Sequence, residues 1–386
     1  MKKNIQKLKV MTVLGTRPEI IRLSRILPKL DEYTDHITVY TNQNYDYELS
    51  KIFFKELGIR KPNYLLSTKS KTLAGQISRI LEQVEAAILK EKPDAFLVLG
   101  DTNSALSAII ARRLKVMIFH MEAGNRCFDK NVPEETNRKI VDHLSDVNLP
   151  YTEHARRYLI LEGVHPGSIY VTGSPMAEVL EYFSDKINKS LILKKLQISP
   201  RKYFLASIQR EENVDSKGNL ASLMSSLNRV GVLYKLPIII SLHPRTKRRM
   251  EEFKIKPSAF LKFSRPFGFF DYNKLQKEAL CVLSDSGSIQ EESSILGFKA
   301  AQVRTSSERP EAFDTGSIIL TGFNENSILN AIELLLGLDR KGEEMMVPKD
   351  YQVKNVSTKV VKLVMGLGSI KKYHTGNLAN DEKEDS

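Results

Sequence analysis

The stretch that decides the fold is residues 8–19, LKVMTVLGTRPE, in which a hydrophobic strand pattern runs into a sharp turn and a helix start. Residues 10–14 are apolar and β-branched, Gly15 permits a tight turn, and Pro18 suits the first helical position. Arg17 lies where its guanidinium can reach an anion near the helix N-terminus. The turn matches neither G-x-G-x-x-G nor G-x-x-x-x-G-K-[ST], so it indicates neither a dinucleotide nor a nucleoside triphosphate.

The same strand, turn and helix pattern recurs along the chain. The predicted strands are Lys9–Leu14, His36–Tyr40, Ala95–Leu99, Val116–His120, Asp146–Leu149 and Ser168–Val171, then Tyr203–Ser207, Pro237–Ser241, Leu261–Phe263, Ala279–Ser284, Ala300–Val303 and Ser317–Leu320. The helices predicted between them include Ile20–Leu30, Thr72–Leu89, Glu134–Leu144, Leu220–Leu233 and Asn326–Leu336. Because alternating strands and helices form parallel sheets, we expect an α/β fold with two doubly wound, Rossmann-like domains facing a cleft that holds the active site.

Chain length and composition suggest where these domains begin and end. At roughly 100–200 residues per domain, a chain of 386 residues favours two domains. We expect an N-terminal domain over residues 1–182 and a C-terminal domain over residues 183–367, joined where Ser, Asn and Lys accumulate at 181–200. Residues 368–386 lose apolar periodicity and are predicted to form a disordered tail.

The net charge of +12 does not by itself indicate a nucleic-acid partner. Residues 1–190 carry 28 basic and 23 acidic residues, an excess of +5, and residues 191–386 carry 30 and 23, an excess of +7. An excess spread this evenly predicts no nucleic-acid site. The densest basic cluster, Lys247-Arg248-Arg249, is more typical of a solvated helix face than of a site for an anionic molecule or a membrane surface.

The lengths of the apolar runs and the positions of the cysteines favour neither a membrane protein nor a metal site. No apolar run approaches the roughly 18 residues that span a bilayer, and no signal-peptide pattern follows Met1. We therefore expect a cytoplasmic protein without membrane insertion. Cys127 and Cys281 are far apart with no metal-ligand spacing beside them, so they are predicted to be isolated thiols rather than a disulfide or a zinc site.

Carboxylates follow two predicted strands of the first half. Asp101 lies two residues after the predicted strand Ala95–Leu99, and Glu122 lies two residues after the predicted strand Val116–His120. Burying a carboxylate there is costly unless it is paired or used, so both are candidates for general acid and base. Glu134 is a third candidate, in the segment PEETNR at 133–138. Proline followed by acidic residues also starts helices well, and for Glu135 we favour this purely structural role.

The second half carries an anion-binding pattern. Residues 284–288, SDSGS, follow a strand and open a helix, so their free N–H groups form a site suited to a diphosphate. Glu292 lies further along this helix, where it can accept hydrogen bonds from a sugar diol. The next strand end brings Arg304 and the segment ERPE at 308–311, which we expect to add cations at the same place.

Taken in order, these motifs resemble those of the non-hydrolysing UDP-N-acetylglucosamine 2-epimerase family over about residues 8–365. They are GTRPE at 15–19, GDT at 100–102, HMEAG at 120–124, PEETNR at 133–138, SDSG at 284–287 with EE at 291–292, and ERPE at 308–311. The resemblance implies a fold like that of the glycosyltransferase-B enzymes, a UDP-sugar substrate, a homodimer and no dissociable cofactor. The segments HMEAGNRCFD at 120–129, TGSPM at 172–176 and SSIL at 293–296 are more similar to the UDP-N-acetyl-L-fucosamine synthase branch, which acts on 6-deoxy-L-hexosamines for surface polysaccharides.

The resemblance also implies a role for individual residues. Asp101, Glu122 and Glu134 match the catalytic carboxylates, and Gln209 stands at a catalytic position. Arg17, Ser286, Gly287, Ser288 and Arg309 match diphosphate contacts, Glu292 matches the ribose contact, and Tyr272 matches an aromatic residue that packs on uracil. Arg22, Gln43 and Arg210 are expected to be further substrate-binding residues, Arg22 at a position where many members have Lys.

Three functions remain open at this stage. The hydrogen at C2 of a UDP-2-acetamido sugar is not next to a carbonyl, so C2 epimerisation has to proceed by elimination and re-addition of UDP. A glycosyltransferase of similar architecture would share the diphosphate contacts but would not need three carboxylates. The third possibility is a catalytically weak UDP-sugar-binding paralogue, because the family has a histidine where this chain has Gln209, which cannot exchange a proton.

Overall fold

The computed structural model describes residues 6–42, 51–130, 132–256, 258–343 and 346–370. The chain forms two compact units, Met1–Val179 together with Val353–Ser386, and Leu180–Gln352. Each unit contains one six-stranded sheet whose neighbouring strands run parallel. The predicted α/β class with two doubly wound sheets is confirmed, whereas the expected cleft stays a prediction.

The two sheets share one strand order. The first has the order β3-β2-β1-β4-β5-β6, with β1 Lys9–Leu14, β2 Asp35–Tyr40, β3 Tyr64–Leu65, β4 Ala95–Leu99, β5 Met117–Met121 and β6 Val147–Leu149. The second has the order β12-β11-β10-β7-β8-β9, with β7 Phe204–Ile208, β8 Ile238–Leu242, β9 Leu261–Ser264, β10 Val282–Ser284, β11 Ala300–Gln302 and β12 Ile319–Leu320. Counted within each unit, both orders are 3-2-1-4-5-6, so the order reverses between the first and fourth strands, where open α/β sheets bind ligands.

Helices connect successive strands. They are α1 Arg17–Leu23, α2 Ile26–Tyr33, α3 Lys51–Glu56, α4 Leu73–Glu91, α5 Ala108–Arg113, α6 Pro133–Leu144, α7 Glu153–Leu161, α8 Met176–Tyr182, α9 Ser184–Asn188, α10 Ile192–Lys195, α11 Glu211–Val214, α12 Lys217–Tyr234, α13 Pro244–Glu252, α14 Phe269–Glu278, α15 Ile289–Leu296, α16 Pro310–Asp314, α17 Glu325–Lys341 and α18 Val356–Gly368. Within the described ranges, none of these helices has the length and apolar character needed to cross a bilayer.

The core of the first unit lies between its sheet and the helices on one face. Helix α4 begins after Thr72, whose hydroxyl accepts the N–H of Gly75 at 3.1 Å. Its residues Ile80, Val84 and Ile88, spaced four apart, are buried against the strands. Burying each such side chain contributes roughly 1.5–3 kcal/mol, so the helical spacing of these residues fixes which face of α4 meets the sheet.

The second unit is built in the same way. Residues of α12 at helical spacing, Leu220, Leu223 and Leu227, pack with Ile328 and Ile332 of α17 over β7 and β8. A separate cluster, formed in part by α14 and α15, covers the opposite face of the sheet. Both faces are covered, as a parallel sheet requires.

Most predicted elements are present, but one predicted helix and one predicted strand differ, and one strand was not predicted. The helix expected over Ile20–Leu30 is two helices, because Pro28 lacks an N–H and its ring would clash with the carbonyl of Ser24 in a continuous helix. The strand expected at Ser168–Val171 forms only a single bridge, from Ile169 to β6. Strand β3 was not predicted, since two residues are too few to show a period.

The structure also differs from the expected domain division. The boundary expected after residue 182 lies close to the change of unit at Leu180, but α18 belongs to the first unit and not to the second. It packs on α2, where Lys29 Nζ donates to Thr358 Oγ1 at 2.5 Å, and the N–H of Ser357 donates to Glu178 Oε2 at 2.8 Å. Residues 368–370 end this helix, and the rest of the predicted tail lies outside the described residues.

Candidate active site

The turn after β1 is held by a carboxylate from the helix that follows it. Glu19 Oε2 accepts the N–H of Gly15 at 3.2 Å, the N–H of Thr16 at 2.7 Å and the hydroxyl of Thr16 at 2.6 Å. The side chain is almost completely buried, and this burial raises the pKa of Glu19 to about 7. The turn is therefore rigid and contains a carboxyl group that is largely protonated below neutral pH.

The loops after β4 and β5 meet at the same edge of the sheet. The N–H of Gly100 donates to the carbonyl of Met121 at 2.9 Å. The residues that immediately precede Asp101 and Glu122 are therefore hydrogen-bonded to each other. Glu122 has φ +63, a left-handed conformation that is uncommon for a residue other than glycine. Such conformations cost about 1–3 kcal/mol and cluster at functional sites.

Both carboxylates face arginines that are more buried than they are. Arg138 Nε donates to Asp101 Oδ2 at 2.8 Å, and the side chains are 5% and 26% exposed. Arg22 Nε lies 3.8 Å from Glu122 Oε2, with 7% and 13% exposed. Asn125 Nδ2 also donates to Glu122 Oε1, at 3.3 Å. In each pair the carboxylate is the member that reaches solvent, which is the arrangement needed for proton transfer to a bound molecule.

Helix α6 adds the third predicted carboxylate. The helix begins at Pro133, and Glu134 lies half-buried in its first turn. One turn further, Asn137 Nδ2 donates to the backbone carbonyl of Asp101 at 2.8 Å. The start of α6 is therefore bonded to the loop that carries Asp101.

The substrate-binding residues predicted from the first half have different outcomes. Arg17 is the first residue of α1, and Pro18 is the second residue rather than the first as expected. The guanidinium carbon of Arg17 lies 5.8 Å from the centroid of the Phe53 ring. Arg22 is buried beside Glu122. Gln43 lies outside the described residues.

In the second unit, one buried carboxylate holds the loop after β7. Asp285 Oδ2 accepts the N–H groups of Gln209 and Arg210, both at 2.9 Å, and the side-chain amide of Asn213 at 2.9 Å. Burial raises the pKa of Asp285 in spite of these donors. The predicted position Gln209 is thus fixed through its backbone, and its side chain is half-buried.

In the segment between β10 and α15, two of the N–H groups that were expected to be free donate to serine hydroxyls, Ser286 N–H to Ser284 Oγ at 3.1 Å and Ser288 N–H to Ser286 Oγ at 3.4 Å. Ser286 Oγ and Ser288 Oγ lie 3.0 Å apart immediately before the first turn of α15. A Cβ on Gly287 would lie 2.3 Å from Glu308 Oε1, so only glycine fits there without a shift. Exposed N–H groups at a helix N-terminus favour a phosphate group.

Arginines lie around this segment in ion pairs. Arg210 Nη2 is 3.3 Å from Glu308 Oε1, and here the arginine is the more exposed member, at 21% against 7%. Glu308 also accepts a hydrogen bond from Arg304 Nη1 at 2.9 Å. Arg304 was expected to be open to a ligand, but it is buried. Arg309, expected to contact the diphosphate, is also buried, and its Nη2 lies 3.2 Å from the buried Glu291.

The two residues expected to contact uridine lie on neighbouring helices. Glu292, in α15, accepts a hydrogen bond from Gln276 Nε2 in α14 at 2.6 Å. Tyr272, also in α14, is half-buried against the core cluster on that face of the sheet. Helix α14 therefore both orients Glu292 and supplies the aromatic residue.

The geometry divides the chemistry between the units. The first presents carboxylates backed by arginines, and the second presents N–H groups and a cation backed by carboxylates. A family model described as UDP-N-acetylglucosamine 2-epimerase matches residues 29–365. The chain belongs to this epimerase family.

Known members of the epimerase family align over nearly the whole chain. The structure of a UDP-N-acetylglucosamine 2-epimerase from Rickettsia bellii is 46% identical, with a TM-score of 0.87 over 94% of this chain and 97% of that one. The epimerase of Methanocaldococcus jannaschii, solved in complex with UDP-GlcNAc and UDP, is 35% identical, with a TM-score of 0.87 over 92% and 99%. A UDP-N-acetylglucosamine 2-epimerase from the same organism is 38% identical over 343 residues, covering 86% of this chain and 93% of that protein.

A buried network beside the carboxylates was not predicted. Asp142 Oδ1 lies 2.9 Å from His120 Nδ1, and Asp142 Oδ2 lies 2.8 Å from Arg126 Nη2. Burial alone would raise the pKa of Asp142, but His120 and Arg126 outweigh it and lower the pKa. His120 Nε2 in turn contacts the carbonyl of Gly100 at 2.8 Å, so the network supports the loop of Asp101. His120 lies in a motif that the sequence showed, but nothing in the sequence joins it to Asp142.

The roles of Glu19, Asp285 and Glu308 were also missed, although each lies in a quoted motif. Their functions depend on which backbone or side chain they meet, and the spacing of residues along the chain does not show this. Cys127, which is half-buried, and Cys281, which is buried, form no disulfide. Among the residues that the structure describes, no three His, Cys, Asp or Glu side chains are grouped to hold a metal ion.

Proposed function

We propose that this chain interconverts the C2 epimers of a UDP-2-acetamido sugar, acting as a non-hydrolysing isomerase. The observation that carries the proposal is the pair Asp101 and Glu122, two solvent-reaching carboxylates on bonded loops, each with an arginine behind it. Acid–base groups on opposite sides of one carbon are what inversion of that carbon requires.

The reaction has to pass through elimination. One carboxylate removes the C2 proton while the bond from C1 to the UDP oxygen breaks, which leaves a glycal and UDP. A second acidic group then delivers a proton to the other face of C2, and the UDP oxygen bonds again to C1. Atoms and charge balance without a redox step, and the product differs from the substrate only at C2.

The residues of each unit suit one half of this reaction. Asp101, Glu122 and Glu134 are the proposed acid–base groups. In the second unit, the segment Ser286–Ser288 and Arg210, the arginine that reaches solvent, are proposed to bind the departing diphosphate, since N–H groups and cations stabilise the charge that develops on it. Glu292 and Tyr272 are proposed to hold the uridine.

Epimerisation in deuterium oxide tests this function. The protein is incubated with UDP-GlcNAc, and proton NMR follows the sugar. We expect the C2 epimer to form with one deuteron at C2 and none elsewhere. A product that keeps its original C2 hydrogen in every molecule would eliminate the proposed mechanism, and transfer of the sugar to an acceptor would indicate a glycosyltransferase instead.

The identity of the sugar is a further proposal. The relatives named above are UDP-N-acetylglucosamine epimerases, whereas the segments at 120–129, 172–176 and 293–296 favour a 6-deoxy-L-hexosamine that leads to UDP-N-acetyl-L-fucosamine. A side-by-side comparison of kcat/KM for both UDP-sugars decides between them. From the resemblance we also propose a homodimer, which light scattering tests, and a cytoplasmic location, which cell fractionation tests.

Gln209 supports one alternative, a UDP-sugar-binding paralogue with weak activity. A glutamine side chain donates hydrogen bonds but cannot exchange a proton, whereas a histidine titrates near pH 6.5. We predict that Gln209→His raises turnover by up to ~10²-fold if this position transfers a proton, and by much less if it only binds the diphosphate. UDP binding by both forms without any turnover would favour the paralogue.

A further inference from the structure

Glu135 belongs to a continuous set of contacts that ends at Asp101, one of the proposed acid–base groups. Its carboxylate is nearly buried, and Oε2 accepts from Arg138 Nη1 at 2.9 Å and from the N–H of Cys127 at 3.2 Å. The Cys127 thiol also donates to Oε2, at 3.3 Å. One oxygen of Glu135 therefore joins α6 to the loop after β5.

These contacts do not match the capping role expected for Glu135. A capping carboxylate at this helical position would accept the N–H of the residue before the helix, Val132. Instead, it is the N–H of Glu135 that donates to the carbonyl of Val132, at 3.0 Å, and the carboxylate turns to Cys127 and Arg138. The side chain is therefore used for tertiary contacts.

Arg138 lies between two carboxylates and uses a different nitrogen for each. Nη1 bonds to Glu135, and Nε donates to Asp101 Oδ2 at 2.8 Å. The guanidinium is planar and rigid, so fixing one nitrogen fixes the direction of the other. With only the Nε contact, the guanidinium could rotate and engage both oxygens of Asp101 in the bidentate geometry that arginine prefers.

We propose that Glu135 is a positioning residue for the epimerisation: it fixes Arg138 so that only Oδ2 of Asp101 is held and Oδ1 is directed to the sugar. This inference rests on the proposed function. It predicts that loss of the Glu135 charge lowers kcat without weakening substrate binding, because the Glu135 carboxylate contacts Cys127 and Arg138 and none of the residues proposed to bind UDP.

The test compares Glu135→Gln with Asp31→Asn. Asp31, in α2, also accepts from two nitrogens of one arginine, Arg60 Nε at 3.0 Å and Nη2 at 2.8 Å, but it contacts neither Arg138 nor Asp101. For Glu135→Gln we expect kcat to fall ~10-fold or more with KM within about twofold, the scale of a misplaced catalytic group. For Asp31→Asn we expect an unchanged kcat. Equal kcat values for the two variants would overturn the inference.

A double-mutant cycle separates positioning from general support of the fold. If Glu135 acts through Asp101, then Glu135→Gln in an Asp101→Asn background lowers kcat no further, whereas independent effects would multiply. Glu135→Asp keeps the charge and is expected to lose less activity than Glu135→Gln. It also extends the comparison if the glutamine variant does not fold: a kcat for Glu135→Asp equal to wild type then counts against positioning.

A measurement without turnover distinguishes failure of the inference from failure of the proposed function. In protein labelled with ¹⁵N-arginine, the Nε–H signal of Arg138 is identified by its absence in Arg138→Lys. We expect exchange of this proton with water to accelerate at least ~10-fold in Glu135→Gln, and an unchanged rate would overturn the positioning role. Absence of epimerisation in the wild type, with accelerated exchange in the variant, would overturn only the proposed function.

Discussion

The two units of this chain have the same strand order and expose opposite charges. In the first, carboxylates reach solvent with arginines buried behind them, as in Asp101 at 26% exposed against Arg138 at 5%. In the second, Arg210 reaches solvent with Glu308 behind it, at 21% against 7%. In the proposed function, one topology therefore serves as a scaffold for proton transfer in one unit and for anion binding in the other, because the exposed member of each ion pair sets the local chemistry.

The units also differ in how they hold the loop after their first strand. Glu19 bonds to the N–H groups of its own turn, three and four residues away, whereas Asp285 reaches the N–H groups of Gln209 and Arg210 from a distant part of the chain. Both carboxylates are buried. A local contact can form as soon as the helix forms, but the distant one requires the sheet to be assembled first.

The distant contact should be the more costly to remove. Asp285→Ala removes the acceptor of two part-buried N–H groups and one buried side-chain amide, and we expect it to destabilise the second unit by about 4 kcal/mol and to weaken UDP binding ~10²-fold. Urea unfolding and calorimetric titration with UDP measure the two effects. Asp339→Ala is the matched control, because this exposed carboxylate pairs with Arg201 at the surface, and we expect a loss of about 1 kcal/mol or less with unchanged UDP affinity.

The local contact should respond to pH. In the folded protein Glu19 keeps its proton up to about pH 7, whereas in the unfolded chain it releases the proton near 4.5. The stability that it contributes is therefore complete below about pH 4.5 and is lost as the pH rises to 7, a change of about 3 kcal/mol. In Glu19→Gln we expect this part of the pH dependence to vanish.

Urea unfolding at several pH values between 5 and 8 measures this difference. Glu153→Gln is the control, because Glu153 lies in the first turn of α7 but is exposed. If the free energy of unfolding of Glu19→Gln depends on pH as that of the wild type does, Glu19 is ionised throughout this pH range. The contacts of Glu19 and Asp285 would then differ only in the distance along the chain that they span.

Removing the exposed charges of the first unit should affect turnover alone. We expect Asp101→Asn and Glu122→Gln each to lower kcat by at least ~10²-fold with the Kd for UDP within about twofold. Asp94 provides a control at the other end of the same strand, since it precedes β4 and Asp101 follows it. Asp94→Asn should keep normal turnover. Weaker UDP binding in the Asp101 variant would contradict the division between the units.

The smallest effect concerns the close contact of Gly287. An alanine there would push the Glu308 carboxylate away, which breaks its pair with Arg210, and we expect UDP affinity to fall ~10-fold. Gly218→Ala is the control, because the nearest atom to its added Cβ is 3.9 Å away. Equal UDP affinities in both variants would show that the pair of Arg210 with Glu308 does not contribute to UDP binding.

Much of the fold could be predicted from the sequence, and the residues show why. Strands β1 and β4 begin and end as predicted, because a continuous apolar run bounded by turn residues is a local signal. The prediction of a strand at Ser168–Val171 was wrong. A segment at the edge of a sheet pairs only along the length of its neighbour, and β6 has only three residues. The location of α18 could not be predicted, because an amphipathic helix does not indicate which sheet it will cover.

The candidate site divides in the same way. The sequence alone determined which loops carry carboxylates, where a glycine and serines precede a helix, and that both halves form doubly wound sheets, because these depend on neighbouring residues and on the period of the pattern. Only the tertiary structure decided that Glu135 bonds to Arg138 and Cys127, that Asp285 holds the loop of Gln209, and which member of each ion pair reaches solvent. These contacts join residues that the chain separates, and their strength depends on burial, which exists only after the strands and helices have packed.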